Sequence, residues 1–113
     1  MDIKTDDYRV WYDPETNTVF FQGFLRLDGM EAYSPVRSLL LEAVKQQPQI
    51  TLNLRQLEFL NSSGISMLSM FVVKVRQQGN VQLHFQGAEN ILWQTKSLKN
   101  LQRLMPGLEL EFA

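Results

Sequence analysis

Cysteine is absent from the sequence, which removes disulfides, thiolate metal sites and thiol chemistry from consideration and fits a reducing compartment. Apolar runs long enough to cross a bilayer are also missing. The first thirteen residues, MDIKTDDYRVWYD, are acidic and broken by charge, so they do not read as the apolar core of a signal peptide. Charge of one sign is lacking too: eleven Lys and Arg face twelve Asp and Glu, and a net charge of −1 argues against nonspecific attraction to nucleic acid or to a membrane surface. The expected location is the cytoplasm, with no nucleic-acid partner and no direct membrane insertion. Catalytic signatures are equally sparse. Neither a G-x-x-x-x-G-K-S/T phosphate loop nor a dinucleotide-binding glycine triplet occurs, and no G-x-S-x-G surrounds any serine. A nucleophilic serine needs a base, and the only histidine is His84. The paired acids Asp6-Asp7 and Glu109/Glu111 lie near the termini, where a formed cleft is not expected. The sequence therefore reads as non-enzymatic, with no cofactor and no metal site.

What is present is an ordinary globular composition, 44% apolar and 20% charged, over 113 residues, the size of one domain spanning 1–113. Strand and helix patterns alternate along it. YRVWY at 8–12 is a short aromatic, β-branched run ended by Asp13-Pro14, and TVFFQGFLRL at 18–27 is a longer strand, with Gly23 marking a bulge or a close backbone approach. The two together predict an antiparallel hairpin. Residues 31–47 switch to helical spacing, with Tyr33, Val36, Leu40 and Val44 on one face, Pro35 near the start and Pro48 as the stop. In QITLNLRQL at 49–57, Ile50, Leu52 and Leu54 point one way and Thr51, Asn53 and Arg55 the other. A helix over 62–78 closes at Gly79-Asn80, VQLHFQ at 81–86 alternates again, residues 89–105 form a last amphipathic helix, and LELEF at 108–112 suits a short edge strand. The expected fold is α/β: a small mixed β-sheet with an N-terminal hairpin and helices packed mainly on one face.

The segment Phe59-Leu60-Asn61-Ser62-Ser63-Gly64-Ile65 is the most informative. Asn61, Ser62 and Ser63 are all good N-cap residues, because their side-chain oxygens accept the unpaired amides of a first helical turn. A capped helix accounts for the trio without further function. Gly64 asks for more, since glycine in a first turn costs up to about 1 kcal/mol against alanine; close approach by another backbone, or by a protein docking at this end, would offset that. Along the same helix Ile65, Leu68, Val72 and Val75 recur at core spacing, while Met67, Met70 and Phe71 widen the apolar band. Core burial is the ordinary explanation of such a band; adaptable methionines beside a modification site would also suit a surface that docks a partner. Lys74 and Arg76 border it. Lys96, Lys99 and Arg103 form a basic face of the last helix, best read as solvated, and Trp93 reads as packed.

The stretch LRQLEFLNSSGISMLSMFVVKVRQQGNVQLHF resembles the central part of the STAS family, the domain of anti-sigma factor antagonists. There a strand leads into an Asp-Ser-Ser/Thr-Gly-Leu/Ile turn, then a helix, a glycine-containing turn and another strand; the spacing matches over about 50–85. The resemblance implies a STAS-like fold and a regulator that switches protein partners. It implies phosphorylation of Ser62 by a serine kinase of the anti-sigma factor type and its reversal by a metal-dependent serine phosphatase. Partner contact is implied for Asn61, Ser62, Ser63 and Gly64, extended here to Met67, Met70 and Phe71. The usual aspartate is Asn61, which keeps the capping geometry and loses a negative charge. That departure keeps a second expectation open: a constitutive STAS subunit of a transporter or other assembly, never phosphorylated.

Overall fold

The computed structural model describes residues 1–113. The strands are β1 (Asp2–Lys4), β2 (Tyr8–Asp13), β3 (Thr18–Leu25), β4 (Gln49–Leu60), β5 (Gln82–Gly87) and β6 (Glu109–Phe112). The helices are α1 (Ser34–Gln46), entered through a 3-10 turn at Glu31–Tyr33, α2 (Ser62–Gln78) and α3 (Leu92–Leu104). The strands lie side by side in chain order, β1 to β3 antiparallel and β3 to β6 parallel. Each parallel step needs a crossover, and α1, α2 and α3 supply the three. Right-handed crossovers that advance the same way across a sheet all fall on one face. The helices therefore share that face and α2 sits in the middle, between α1 and α3. One contiguous core of 25 residues forms beneath them, drawing on every helix and on β2 to β5, as the mixed-sheet expectation required. No helix is long and apolar enough to cross a membrane.

Strand alternation sorts the two faces. Val10, Val19, Phe21, Ile50, Leu52, Leu54, Leu83 and Phe85 are buried toward the helices. The opposite face stays open and is covered by side chains laid against one another. The Arg9 guanidinium lies 4.2 Å above Trp11, whose ring stacks on Phe20 at 5.1 Å, and His84 meets Glu111 at 3.1 Å.

The hairpin forms as expected, and its turn anchors the sheet. Asn17, at φ 50° and buried, donates its amide to the Gln49 carbonyl and accepts from the Tyr12 hydroxyl, tying the hairpin to the start of β4. Most boundaries shift by one to three residues from the sequence reading, and three differences have a structural cause. β1 was not expected: three residues, two of them charged, carry no alternation signal, and the strand exists through its pairing with β2 and the Asp2–Arg9 ion pair at 2.8 Å. β4 runs on to Leu60, because β3 continues beside it through Leu25. α3 begins at Leu92 instead of 89, since residues 88–91 turn under Gln94, whose Oε1 accepts from the Ala88 amide at 2.8 Å.

Gly23 accounts for the interior glycine of β3. It holds φ +93°, register slips between it and Phe24, and the Phe24 amide donates to the Asp7 carbonyl at 2.9 Å. A Cβ at Gly23 would sit 2.3 Å from that same carbonyl oxygen. Both the backbone angle and the space therefore demand glycine. Gly23→Ala is expected to lower stability by roughly 2 kcal/mol or more in urea titration, above the usual cost of a left-handed alanine because the backbone must also move.

Candidate functional site

The site is the junction between β4 and α2. Leu60 points into the core, and Asn61 then leaves the sheet in an extended conformation and becomes the N-cap of α2. Its Oδ1 accepts from the Gly64 amide at 3.0 Å, and its carbonyl receives the first helical bond from Ile65. The same side chain reaches further. Asn61 Nδ2 donates to the Leu27 carbonyl at 2.8 Å, and Oδ1 also accepts from the Tyr33 hydroxyl at 2.6 Å. The Asn61 backbone amide donates to the Leu25 carbonyl, and the Leu27 amide donates to the Tyr33 oxygen at 3.4 Å. One residue, through its carboxamide and its backbone amide, thus joins the end of β3, the loop after it, the turn before α1 and the first turn of α2.

That arrangement explains the residue that departs from the STAS pattern. Aspartate would cap α2 equally well, but it has no N–H for the Leu27 carbonyl and would set a carboxylate oxygen against it. The amide is what this loop requires. Tyr33, fully buried, is the residue that sequence reasoning missed. Its spacing places it among the apolar positions of α1; the available signal is a phenol on an otherwise aliphatic core face, since a buried hydroxyl almost always finds a partner. Burial pushes its pKa up, and the hydrogen bond from the Leu27 amide opposes this.

Around this hub the motif residues separate sharply. Ser62, the first residue of α2, is exposed and its hydroxyl is free of protein partners; Ser63 is half-buried. Gly64 is buried, and a Cβ there would lie 2.2 Å from Leu60 Cδ1 and 2.8 Å from the Tyr33 hydroxyl. The close approach that offsets its helix cost therefore comes from this chain's own side chains, not from another backbone or a docked protein. Two further expectations are corrected. Met67 and Phe71 are only 1% and 2% exposed and belong to the core, whereas Met70 is 54% exposed. The buried residues of α2 follow the spacing of one core face, and Ser62, Ser66, Met70 and Lys74 recur on its outer side, joined by Arg76, Gln77 and Gln78 in the last turn.

No carboxylate lies in the first turn of α2, so its free amides and positive dipole end are uncompensated at Ser62. At the same end of the sheet, Phe24 and Phe59 are paired across β3 and β4 and are 40% and 39% exposed. The Arg26 guanidinium lies 5.2 and 5.4 Å from their rings. In sequence these three read as ordinary strand residues, and only the pairing of β3 with β4 brings them together. Other expectations keep their ordinary explanations: Lys96, Lys99 and Arg103 are solvated, and Trp93 packs and donates to the Leu57 carbonyl at 3.1 Å. Lys74 stays exposed on the outer row, and the Arg76 guanidinium donates to the Leu104 carbonyl at 2.8 Å.

No family model and no curated protein matches the sequence. Solved structures do match over the whole chain. A chain of the complex between the diguanylate cyclase SiaD and its activator SiaC, from Pseudomonas aeruginosa, superposes with a TM-score of 0.73 at 14% identity, covering 100% of this chain and 99% of that one. SiaC of the same organism gives 0.69 at 14% identity with the same coverage, and its apo form gives 0.72 at 11% identity, covering 99% and 98%. At these identities the likeness is one of fold. The fold is STAS-like, as the motif at 59–65 implied.

Three variants test the hub by denaturation. Asn61→Asp is expected to lose about 1 to 3 kcal/mol although aspartate is as good a cap, because the Leu27 carbonyl loses its donor. Gly64→Ala is expected to destabilise by about 2 kcal/mol or more despite its better helix propensity, since Leu60 and Tyr33 must give way. Tyr33 also sets a pH dependence. A phenol whose folded pKa is raised favours the neutral form, so its contribution is complete below about pH 10 and is lost as pH rises through the folded value. Tyr33→Phe should flatten that alkaline decline while costing about 1 kcal/mol at neutral pH.

Proposed function

We propose that this STAS-like domain, residues 1–113, is a non-catalytic signalling regulator of the anti-sigma factor antagonist type. In this reading it binds a protein partner at the end where α2 begins, and reversible phosphorylation of Ser62 switches that binding. The observation that carries the reading is the free, exposed hydroxyl at the first residue of α2, beside a turn held from within by the Asn61 carboxamide.

A phosphate adds about −1.5 to −2 charges and three acceptor oxygens. At Ser62 it would face unpaired helix amides with no carboxylate in that turn, a setting worth about 0.3 to 1 kcal/mol in its favour. The bonds holding the turn run inward from Asn61 to Leu27 and Tyr33, so the fold keeps them when Ser62 is modified. A docked partner receives no such compensation. Placing that charge in a desolvated interface without a matching cation costs several times more than the helix end returns. Phosphorylation therefore leaves the domain folded and changes which protein can sit against Ser62, Ser63 and Met70. Asn61, Gly64, Met67 and Phe71 shape that surface from beneath.

The activator role of SiaC toward a separate enzyme, on the same fold, supports a regulator over a catalyst. The partners implied are a serine kinase of the anti-sigma factor type and, for reversal, a metal-dependent serine phosphatase.

Protein isolated from its native cells should contain a fraction that is heavier by one phosphate, mapped to Ser62 by fragmentation. In co-purification, Ser62→Ala should retain the partner that Ser62→Asp loses, with an affinity difference of about tenfold or more. Equal retention by both variants would defeat the switch. Material that is free of phosphate under every growth condition would favour a constitutive subunit of an assembly.

A further inference from the structure

We infer that the outer face of α2, beyond Ser62, forms a docking trough for an acidic amphipathic helix of the partner protein. This rests on the preceding reading only in taking the partner to be a protein. The trough, about 450 Å³, lies over α2 between α1 and the end of α3. Its floor is apolar, from Leu41, Met70, Val73 and Leu104, its rim carries Arg37 and Lys74, and no carboxylate lines it.

Met70 does nothing for the core that Met67 and Phe71 do not already do, and it leaves 54% of its surface in water. A flexible thioether in that position suits an adaptable contact. Arg37 and Lys74 enter none of the ion pairs of the structure, in a chain whose net charge is −1. Two unpaired cations beside an apolar floor complement a helix with one apolar face and flanking carboxylates, laid in the groove. The row Ser62, Ser66, Met70 and Lys74 runs along α2 at a spacing of four, about 18 Å from end to end.

The test uses the full chain and two labelled peptides of about 18 residues, each with leucines at i, i+3, i+4 and i+7, one flanked by glutamates and one by lysines. Fluorescence anisotropy should show the glutamate peptide binding about tenfold or more tightly over the lysine peptide, an advantage that shrinks as salt rises from about 0.05 to about 0.5 M. Met70→Asp, and separately Arg37→Glu with Lys74→Glu, should each weaken it about tenfold. All three positions are exposed, so an unchanged Tm is expected and confirms folding. Amide shifts in NMR should centre on Leu41, Met70 and Val73. Equal binding of the two peptides, no shifts at millimolar peptide, or indifference to Met70→Asp overturns the inference. So does a wild-type dimer that Met70→Asp dissolves, which would put a second copy in the trough. Absence of phosphate on Ser62 in cells would defeat the switch and leave these peptide results standing; failure of the peptides leaves the Ser62 reading intact.

Discussion

The carboxamide of Asn61 is the interaction on which the candidate site depends. Its oxygen caps α2 through the Gly64 amide and takes the Tyr33 hydroxyl, while its nitrogen closes the loop after β3 onto the Leu27 carbonyl. A carboxamide is the smallest side chain that accepts on one atom and donates on the other. Both capacities are used, in a half-buried place where an unpaired carbonyl or phenol would cost about 1 to 3 kcal/mol. The start of α2 is thereby pinned to β3 and α1 and does not rest on the helix alone.

The pinning has a directional consequence. Every bond that holds the turn points into the molecule, and the neighbouring hydroxyl of Ser62 points out and bonds to nothing in the chain. Gly64 extends the same economy on the inner side, where Leu60 and Tyr33 occupy the volume a side chain would need. Structural and surface roles are thus divided between adjacent residues. Such a division is what the proposed switch requires, since a group added outside alters contacts there while the inner bonds persist.

Sheet order supplies the other constraint. With the strands in chain order and three crossovers on one face, α2 is flanked on both sides, and it buries one face made of Gly64, Met67, Leu68, Phe71, Val72 and Val75. On the outer side Ser62, Ser66, Met70 and Lys74 recur at a spacing of four, so Ser62 and Met70 lie on the same row.

Much of the fold was legible from local pattern. Alternation in Ile50, Leu52 and Leu54, the capping trio at 61–63, the glycine at 79 and the interior glycine at 23 each report a local requirement, and the strands and helices follow them closely. β1 carried no such signal, because a charged three-residue edge is stabilised only by its neighbour. The motif likewise marked Ser62 and the helix start. It did not separate Met70 from Met67 and Phe71, nor reveal that the Tyr33 hydroxyl and the Leu27 carbonyl meet at Asn61. By itself, then, the sequence determined the order of elements, the capped start of α2 and the residue type suited to modification, since these depend on period and on bonding within a few residues. Tertiary structure decided which methionine faces water, why residue 61 is an amide and what fills the space over Gly64. Apart from Leu60 over Gly64, those contacts join segments some thirty residues apart, and a local pattern holds no record of them until the chain has closed.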